Sequence, residues 1–391
     1  MRNSGSRSPD STRAGRYVSQ PGNYRAFIPA PLPPRPAIKS SQALQRLLSQ
    51  ADRALGRLDG VILTLPSADL FVYMYVRKEA VLSSQIEGTQ SSLQDVLAAE
   101  AKILAPNRPR DVGEVVNYVA AMNYGLERLA KLPVSVRLLR EIHKILLHRA
   151  RGAHLTPGEL RRSQNWIGPA GCTLKEAAFV PPPPDEIGKL MGDLEQFLHA
   201  EDTMPLLMKV GLAHAQFETI HPFLDGNGRL GRLLIIFLLC EQGALQKPVL
   251  YLSHYFKAHR QRYYEELQAV RDKGTWEKWL SFFLRGVAEV SVQATETARR
   301  ILVLREEHRR LITNKLGRVA GNGYRVLESL YERPIVSVKD IRELIGTTYP
   351  AANEMVSRLV DCGLLREITG RARNRKFMYD KYVELFLDNH P

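Results

Sequence analysis

His221-Pro-Phe-Leu-Asp-Gly-Asn-Gly-Arg-Leu-Gly-Arg232 sits between two apolar helical patterns, and its reading decides the fold. Upstream, Leu206, Val210, Ala213, Phe217 and Ile220 recur at spacings of four, three, four and three, the stripe of a buried amphipathic helix. That helix is predicted to stop at His221, because Pro222 disfavours the α conformation in the residue before it. A second, strongly apolar helix runs from Leu230 through Cys240. Helix, glycine-rich loop and helix therefore form one unit, and the loop holds the polar residues.

The loop's composition points to phosphate chemistry. Gly226, Asn227 and Gly228 tolerate positive φ and leave little side-chain bulk, so successive N–H groups can face an anion at the start of the next helix. Arg229 and Arg232 are three apart, on one helical face, and suit phosphate oxygens. Asp225 supplies a hard oxygen ligand at the rim, the way Mg²⁺ is held by a carboxylate plus substrate phosphates. His221 has an ordinary pKa near 6.5 and can accept a proton from an attacking hydroxyl at neutral pH. His214, two turns earlier, has no further ligands at zinc spacing and is read as a core residue.

The remaining composition narrows the class. A chain of 391 residues implies two to three domains, and 44% hydrophobic with 25% charged residues is ordinary for a globular protein. The longest apolar run, Leu233 to Cys240, is too short to cross a bilayer. Met1 to Gln20 lacks an apolar signal region, so a cytoplasmic location and no membrane partner are expected. Cys172, Cys240 and Cys362 are far apart and read as packing residues of a reducing compartment. The net charge of +14 raises nucleic-acid binding. Yet Met1 to Ser40 holds seven basic residues against Asp10 alone, while residues 301–391 hold sixteen basic against twelve acidic, so much of the excess is in the tail.

Along the chain, residues 1–20 are predicted to be a disordered tail, and 21–110 an arm followed by a helical region. Ala30-Pro-Leu-Pro-Pro-Arg-Pro36 reads as a polyproline strap, either a stiff arm or an SH3-type ligand. Residues 111–316 form a helical core, interrupted at Ser163 to Pro184, where Gln164-Asn-Trp-Ile167 and Ala178-Phe-Val180 suggest a β-hairpin flap. Gly317 to Gly323 reads as a glycine-rich linker to a module over 324–391. There three helices, Tyr324–Tyr331, Val338–Leu344 and Ala351–Val360, precede a hairpin, the pattern of a winged helix-turn-helix. Asn353, Ser357 and Arg358 are its base-reading types, and Arg371, Arg373, Arg375 and Lys376 make a basic wing. DNA contact and a protein-interaction or homodimer role both remain open for it.

The loop resembles the signature of the Fic family, His-Pro-Phe-x-(Asp/Glu)-Gly-Asn-Gly-Arg-x-x-Arg, at every fixed position. Phe217-Glu-Thr-Ile220, Tyr251-Leu-Ser253, Tyr263-Tyr264 and Phe282-Phe-Leu284 are also similar to it. The resemblance implies a mainly α fold, a Fic-type helical bundle with a β-hairpin flap that binds target segments by strand addition. It also implies transfer of AMP from ATP to a Ser, Thr or Tyr hydroxyl of a target protein, or of the chain itself. His221 would deprotonate the hydroxyl, and Asp225 would hold Mg²⁺. Phe223, Gly226, Asn227, Gly228, Arg229 and Arg232 would line the nucleotide and its phosphates. Relatives that phosphorylate carry lysine where Gly228 stands, which favours AMP transfer.

A second motif lies upstream. Leu70 to Ile86 is predicted helical and Ser83-Ser-Gln-Ile-Glu-Gly88 ends it, with Gly88 just past the last turn. Glu87 thus sits where the helix dipole disfavours an anion by about 0.3–1 kcal/mol. Physically it reads as a surface glutamate carrying that small penalty. The stretch also resembles the Fic inhibitory motif, Ser/Thr-x-x-x-Glu-Gly/Asn. That implies that Glu87, with Ser83 and Gly88, pairs with Arg232 and blocks the productive ATP pose, or positions water to remove AMP. The competing class is a DNA-binding regulator that senses nucleotide with the same fold and needs no base.

Overall fold

The structure, a computed structural model, describes residues 11–63, 68–103, 109–169, 171–201 and 203–387. Three short strands come first: β1 (Ser11–Thr12), β2 (Gly15–Gln20) and β3 (Tyr24–Pro29). Helices α1 (Gln42–Leu63), α2 (Ala68–Ile86), α3 (Leu93–Glu100), α4 (Val112–Leu129), α5 (Val136–Leu146) and α6 (Ile187–His199) follow. Then come α7 (Leu206–Ile220), α8 (Asn227–Glu241), α9 (Ser253–Ala258), α10 (Arg260–Lys273) and the 41-residue α11 (Trp276–Leu316). The last stretch holds α12 (Ala320–Glu332), β4 (Ile335–Ser337), α13 (Val338–Ile345), α14 (Tyr349–Asp361), β5 (Arg366–Glu367), β6 (Lys376–Met378) and α15 (Asp380–Glu384). The mainly α fold predicted from periodicity is what the chain adopts.

The chain divides into two units that do not follow the linear boundaries read from the sequence. One comprises the described residues of Met1–Leu55, Asn117–Leu245 and Leu252–Glu289; the other, those of Gly56–Val116, Gln246–Tyr251 and Val290–Pro391. Single helices, α1, α4 and α11, contribute residues to both, so no composition shift marks the divisions.

At the centre of the first unit are α7 and α8. Twelve of the fifteen residues of each are buried, so both are enclosed on all sides rather than on one stripe. Gly231 lets α8 approach α7: a Cβ there would lie 2.3 Å from Glu218 Oε1 and 3.2 Å from Phe217 Cδ1. Polar residues inside α7 are bonded. His214 Nδ1 lies 2.9 Å from the Gly231 carbonyl and Nε2 2.9 Å from the Tyr263 hydroxyl, while Gln216 donates to the Ala30 carbonyl at 2.9 Å.

The predicted disordered tail is corrected in part. Residues 1–10 lie outside the described residues, but Gly15–Gln20 pairs antiparallel with Tyr24–Pro29 and with Ser11–Thr12. Phe27 is 1% exposed and stacks edge-on with Tyr17 at 5.0 Å, and Arg13 forms a 2.9 Å ion pair with Glu277. Apolar burial and that ion pair hold a segment whose Ser and Arg content suggested solvation. The predicted flap is a hairpin fastened by one antiparallel bridge, Ile167 with Phe179, without longer strands.

In the second unit, α12, α13 and α14 pack with a three-stranded sheet of order β4-β6-β5. The predicted linker at 317–323 is not one: Gly317–Val319 is a 3₁₀ turn and α12 begins at Ala320. Gly323 serves close packing, since a Cβ would lie 2.7 Å from Leu316 Cδ2 and 2.9 Å from Ile312 Cγ2. Helix α2 belongs to the same unit. Tyr75, fully buried, donates to the Ala294 carbonyl at 2.8 Å and stacks edge-on with Phe386 at 5.1 Å. Tyr382, Tyr331 and Tyr379 continue this aromatic cluster.

Candidate functional site

The α7–α8 loop begins at His221, whose N–H still closes the last turn of α7 on the Phe217 carbonyl at 2.9 Å. The stop falls where Pro222 predicts it. The conformation is left-handed, φ 50° and ψ 59°, instead of extended. Its carbonyl is aimed at two donors, Arg161 Nε at 2.9 Å and Asn165 Nδ2 at 3.3 Å, which hold this less common backbone state. Arg161 also donates to the Pro182 carbonyl at 2.6 Å and, through its N–H, to the Pro222 carbonyl at 2.9 Å. It is 2% exposed, and burial pulls its guanidinium down to about 10, still protonated at neutral pH.

The next residues are fixed by Asn227. Its Oδ1 accepts the Phe223 N–H at 2.9 Å and its Nδ2 donates to the Phe223 carbonyl at 2.8 Å. The same carbonyl accepts from Asn165 Nδ2 at 2.9 Å. Phe223 is fully buried and stacked on His143, centroids 3.9 Å apart. The Asn227 amide bonds to the loop's own backbone and the Phe223 ring is packed in the core, so both shape the loop.

His143 buttresses the other side. Its Nδ1 accepts the Gly158 N–H at 2.8 Å, so its proton is on Nε2, which donates to the Asp225 carbonyl at 2.9 Å. Burial pushes the imidazole down to about 4, keeping it in that neutral form at physiological pH. Gly226, φ 77°, then turns the chain into α8, whose first turn has no side-chain cap. Asn227, Gly228 and Arg229 are thus the opening residues of a helix, three residues earlier than periodicity predicts.

Asp225 accepts the Gly226 N–H at 2.6 Å and lies 3.9 Å from Arg229, with about a third of its side chain exposed. Gly152, at φ 84°, comes so near that a Cβ would lie 2.3 Å from Asp225 Oδ2. Arg229 and Arg232 are 1% and 2% exposed. Among the described residues no group of three or more His, Cys, Asp and Glu could hold a metal. A lone, part-exposed carboxylate beside a helix N-terminus suits a hard cation only where a phosphate ligand completes its shell.

The hairpin flap is tied to the same framework. The Phe27 N–H donates to the Val180 carbonyl at 2.9 Å, and the Arg271 guanidinium lies 3.9 Å from the Phe179 ring centroid while donating to Glu218 O and Thr219 Oγ1. Trp166, at the flap's outer side, is 42% exposed. The hairpin was legible; its buttresses Arg161, Asn165, His143 and Arg271 were not. Asn165 lay inside the quoted hairpin, and a buried arginine leaves no mark in a single sequence.

Residues 133–239 match the family described as Fic/DOC family, and residues 45–127 match Fic/DOC family N-terminal. The chain carries a Fic/DOC family domain. It is 31% identical over 191 residues to "Protein adenylyltransferase Fic" of Culex quinquefasciatus and 30% over 190 residues to that of Drosophila yakuba. Each match covers 47% of this chain and only a third of the relative's length. A Fic family protein from Desulfovibrio desulfuricans superposes with a TM-score of 0.56 at 19% identity, covering 88% of this chain and 97% of that one, so the fold is shared. The buttressed loop His221–Arg232 lies inside the matched Fic domain.

The second motif lies in the other unit. Helix α2 ends at Ile86; the Glu87 N–H donates to the Ser84 carbonyl at 3.0 Å and the Gly88 N–H to the Gln85 carbonyl at 3.1 Å. Gly88 has φ 97°, the glycine-favouring state predicted for it. Ser83 is fully buried, Glu87 half-buried and Gly88 exposed. Among the described residues no helix is long and apolar enough to cross a membrane.

His214 gives a pH prediction. Burial pushes its imidazole down to about 3, against about 6.5 in the unfolded chain. Between those values the unfolded state binds the extra proton, so stability is full above about 6.5 and falls by up to about 1.4 kcal/mol for each pH unit lost below it. Urea unfolding at several pH values checks this. His214→Gln is expected to flatten the slope between pH 6 and 4, and an unchanged slope would refute the assignment.

Proposed function

We propose that the chain is a protein adenylyltransferase that moves AMP from ATP to a protein hydroxyl, with His221 as the general base. The observation that carries this reading is the buttressed loop. His221 is fixed by its own backbone at the end of α7, and the uncapped first turn of α8, with Arg229 and then Arg232, begins six residues on at Asn227. A hydroxyl oxygen attacks the α-phosphorus, its proton passes to the His221 imidazole, and pyrophosphate leaves. The Gly226–Gly228 turn and α8 N-terminus stabilise negative charge at the phosphates, Arg229 and Arg232 balancing the leaving group. Asp225 would hold Mg²⁺, which supplies charge neutralisation when bound with the nucleotide. The relatives named protein adenylyltransferase support the reaction class.

Autoinhibition by Glu87, through pairing with Arg232, belongs to the same proposal and rests on the motif at Ser83–Gly88. Purified chain incubated with ATP labelled at the α- or the γ-phosphate, alone and with lysate, tests the reaction. Label transferred only from the α-position, dependent on His221, supports it; transfer from the γ-position overturns it in favour of phosphorylation. A nucleotide-sensing regulator would bind ATP and transfer neither label.

We read the C-terminal module as a winged helix, and one observation favours DNA contact through its wing. Arg371 and Arg373 are exposed, while Arg375 is drawn onto α14 by a 2.8 Å bond to Asn353 Oδ1, which also occupies a base-reading candidate. The contact is then to phosphates and independent of sequence. Changing Arg371 and Arg373 to Ala is expected to weaken duplex binding and to lower its salt slope by about two. Absence of wild-type binding at low salt would leave the module a protein-interaction role.

A further inference from the structure

Helix α7 ends inside the first unit, and its last carbonyls need donors that the chain ahead does not give. The His221 N–H returns to Phe217, and Pro222 has no N–H. Two buried arginines take the rest. Arg271 of α10 donates from Nη2 to the Glu218 carbonyl at 3.1 Å and from Nε to Thr219 Oγ1 at 3.2 Å. Arg161 donates to the Ile220 and His221 carbonyls at 3.5 and 2.9 Å.

Each arginine also holds the 163–184 hairpin, and at a different place. Arg161 grips its root, donating to the Ser163 and Pro182 carbonyls at 3.2 and 2.6 Å. Arg271 grips its middle: the guanidinium carbon lies 3.9 Å from the ring centroid of Phe179, the residue that bridges to Ile167. Phe27 of β3 adds to this second grip, its ring 6.0 Å from that of Phe179 and its N–H on the Val180 carbonyl at 2.9 Å. A hairpin with one backbone bridge, held at the root alone, can swing; a second fixed point removes that freedom. Both points lead back to the last turn of α7, which carries His221. Phe27 and Arg271 lie outside residues 45–127 and 133–239, so the second grip comes from parts of the chain that the family matches do not cover.

We propose that Arg271, with Phe27, is a positioning residue that sets the hairpin at a fixed distance from His221 and so decides which protein segments can present a hydroxyl to it. The role toward a target rests on the adenylyltransfer reading, whereas the clamp is measured without any reaction. Native-state hydrogen exchange follows the Ile167 and Phe179 amides, which close the bridge at 2.8 and 3.0 Å, with amides of α8 as the internal reference. Arg271→Met is expected to speed exchange at both bridge amides by about tenfold or more relative to α8. Because that variant also strips donors from α7, Phe179→Leu is the second test. It keeps an apolar side chain beside Phe27 and leaves the bonds of Arg271 to α7 in place, and the same selective loosening is expected. In Phe179→Leu, label transfer from α-labelled ATP to lysate proteins should fall by about tenfold or more, while calorimetric ATP affinity stays within about twofold of wild type. Bridge exchange unchanged in both variants, or raised equally in α8, overturns the clamp. Selective loosening with undiminished transfer overturns its role toward the target. If wild type transfers no label, the adenylyltransfer reading falls and exchange alone decides the clamp.

Discussion

His221→Ala is expected to lower AMP transfer by about two to four orders of magnitude, the usual worth of a positioned general base. The fold should survive, because the loop is held through the His221 main chain. Its N–H bonds to Phe217, and its carbonyl accepts from Arg161 and Asn165, none of which involves the imidazole. Nucleotide affinity should also persist, since the groups proposed to meet the phosphates, Gly226, Gly228, Arg229 and Arg232, are left in place. Initial rates with α-labelled ATP, beside calorimetric binding of ATP and a melting curve, separate the three quantities. Transfer at the wild-type rate would remove His221 as the base. Arg161→Ala offers a contrast: it removes one of the two donors to the His221 carbonyl and the guanidinium donor to the carbonyl of buried Pro182, so stability should fall together with activity.

Glu87→Gly is expected to raise transfer several-fold or more over wild type. The substitution removes the carboxylate together with its two methylenes. The backbone bonds that finish α2, from Glu87 N–H to Ser84 and from Gly88 N–H to Gln85, are available to glycine as well. If Glu87 restrains ATP by pairing with Arg232, its loss frees that arginine for the phosphates, and the doubly substituted Glu87→Gly, His221→Ala chain returns to the background rate. The readout is the initial rate of label incorporation from α-labelled ATP. Equal rates for Glu87→Gly and wild type would remove autoinhibition and leave Glu87 as an ordinary helix-end residue.

Local pattern carried the sequence reading as far as local pattern reaches. The α7–loop–α8 unit was legible because its apolar spacing, its Pro222 stop and its glycines act within a few residues of one another. The three C-terminal helices and the hairpin at 163–180 were legible for the same reason. What was missed comes from tertiary packing. His143 reaches Asp225 across 82 positions and Arg161 reaches His221 across 60, and no spacing announces either partner. The loop-holding bonds of Asn227 were not legible because its residue type suits an anion and a loop backbone equally. The tail was misread by composition, although Pro21-Gly22-Asn23 between Tyr17-Val18 and Phe27-Ile28 is a hairpin signal in its own right. Gly317–Gly323 was read as a glycine-rich linker, whereas Gly323 is small for contact with Ile312 and Leu316.

The aromatic cluster around Tyr75 sets an order of events during synthesis. Residues of the first unit run no further than Glu289, so that unit, with its buttressed loop, has every one of its segments once the ribosome has passed that point. Helix α2, made long before, packs its Tyr75 against Phe386, and the neighbouring ring Tyr382 leans on Tyr331. A nascent or prematurely ended chain therefore holds every segment of the unit that carries the His221 loop before the helix leading to Glu87 has its partners. If Glu87 is the restraint, it is set last, and full-length translation is what arms it.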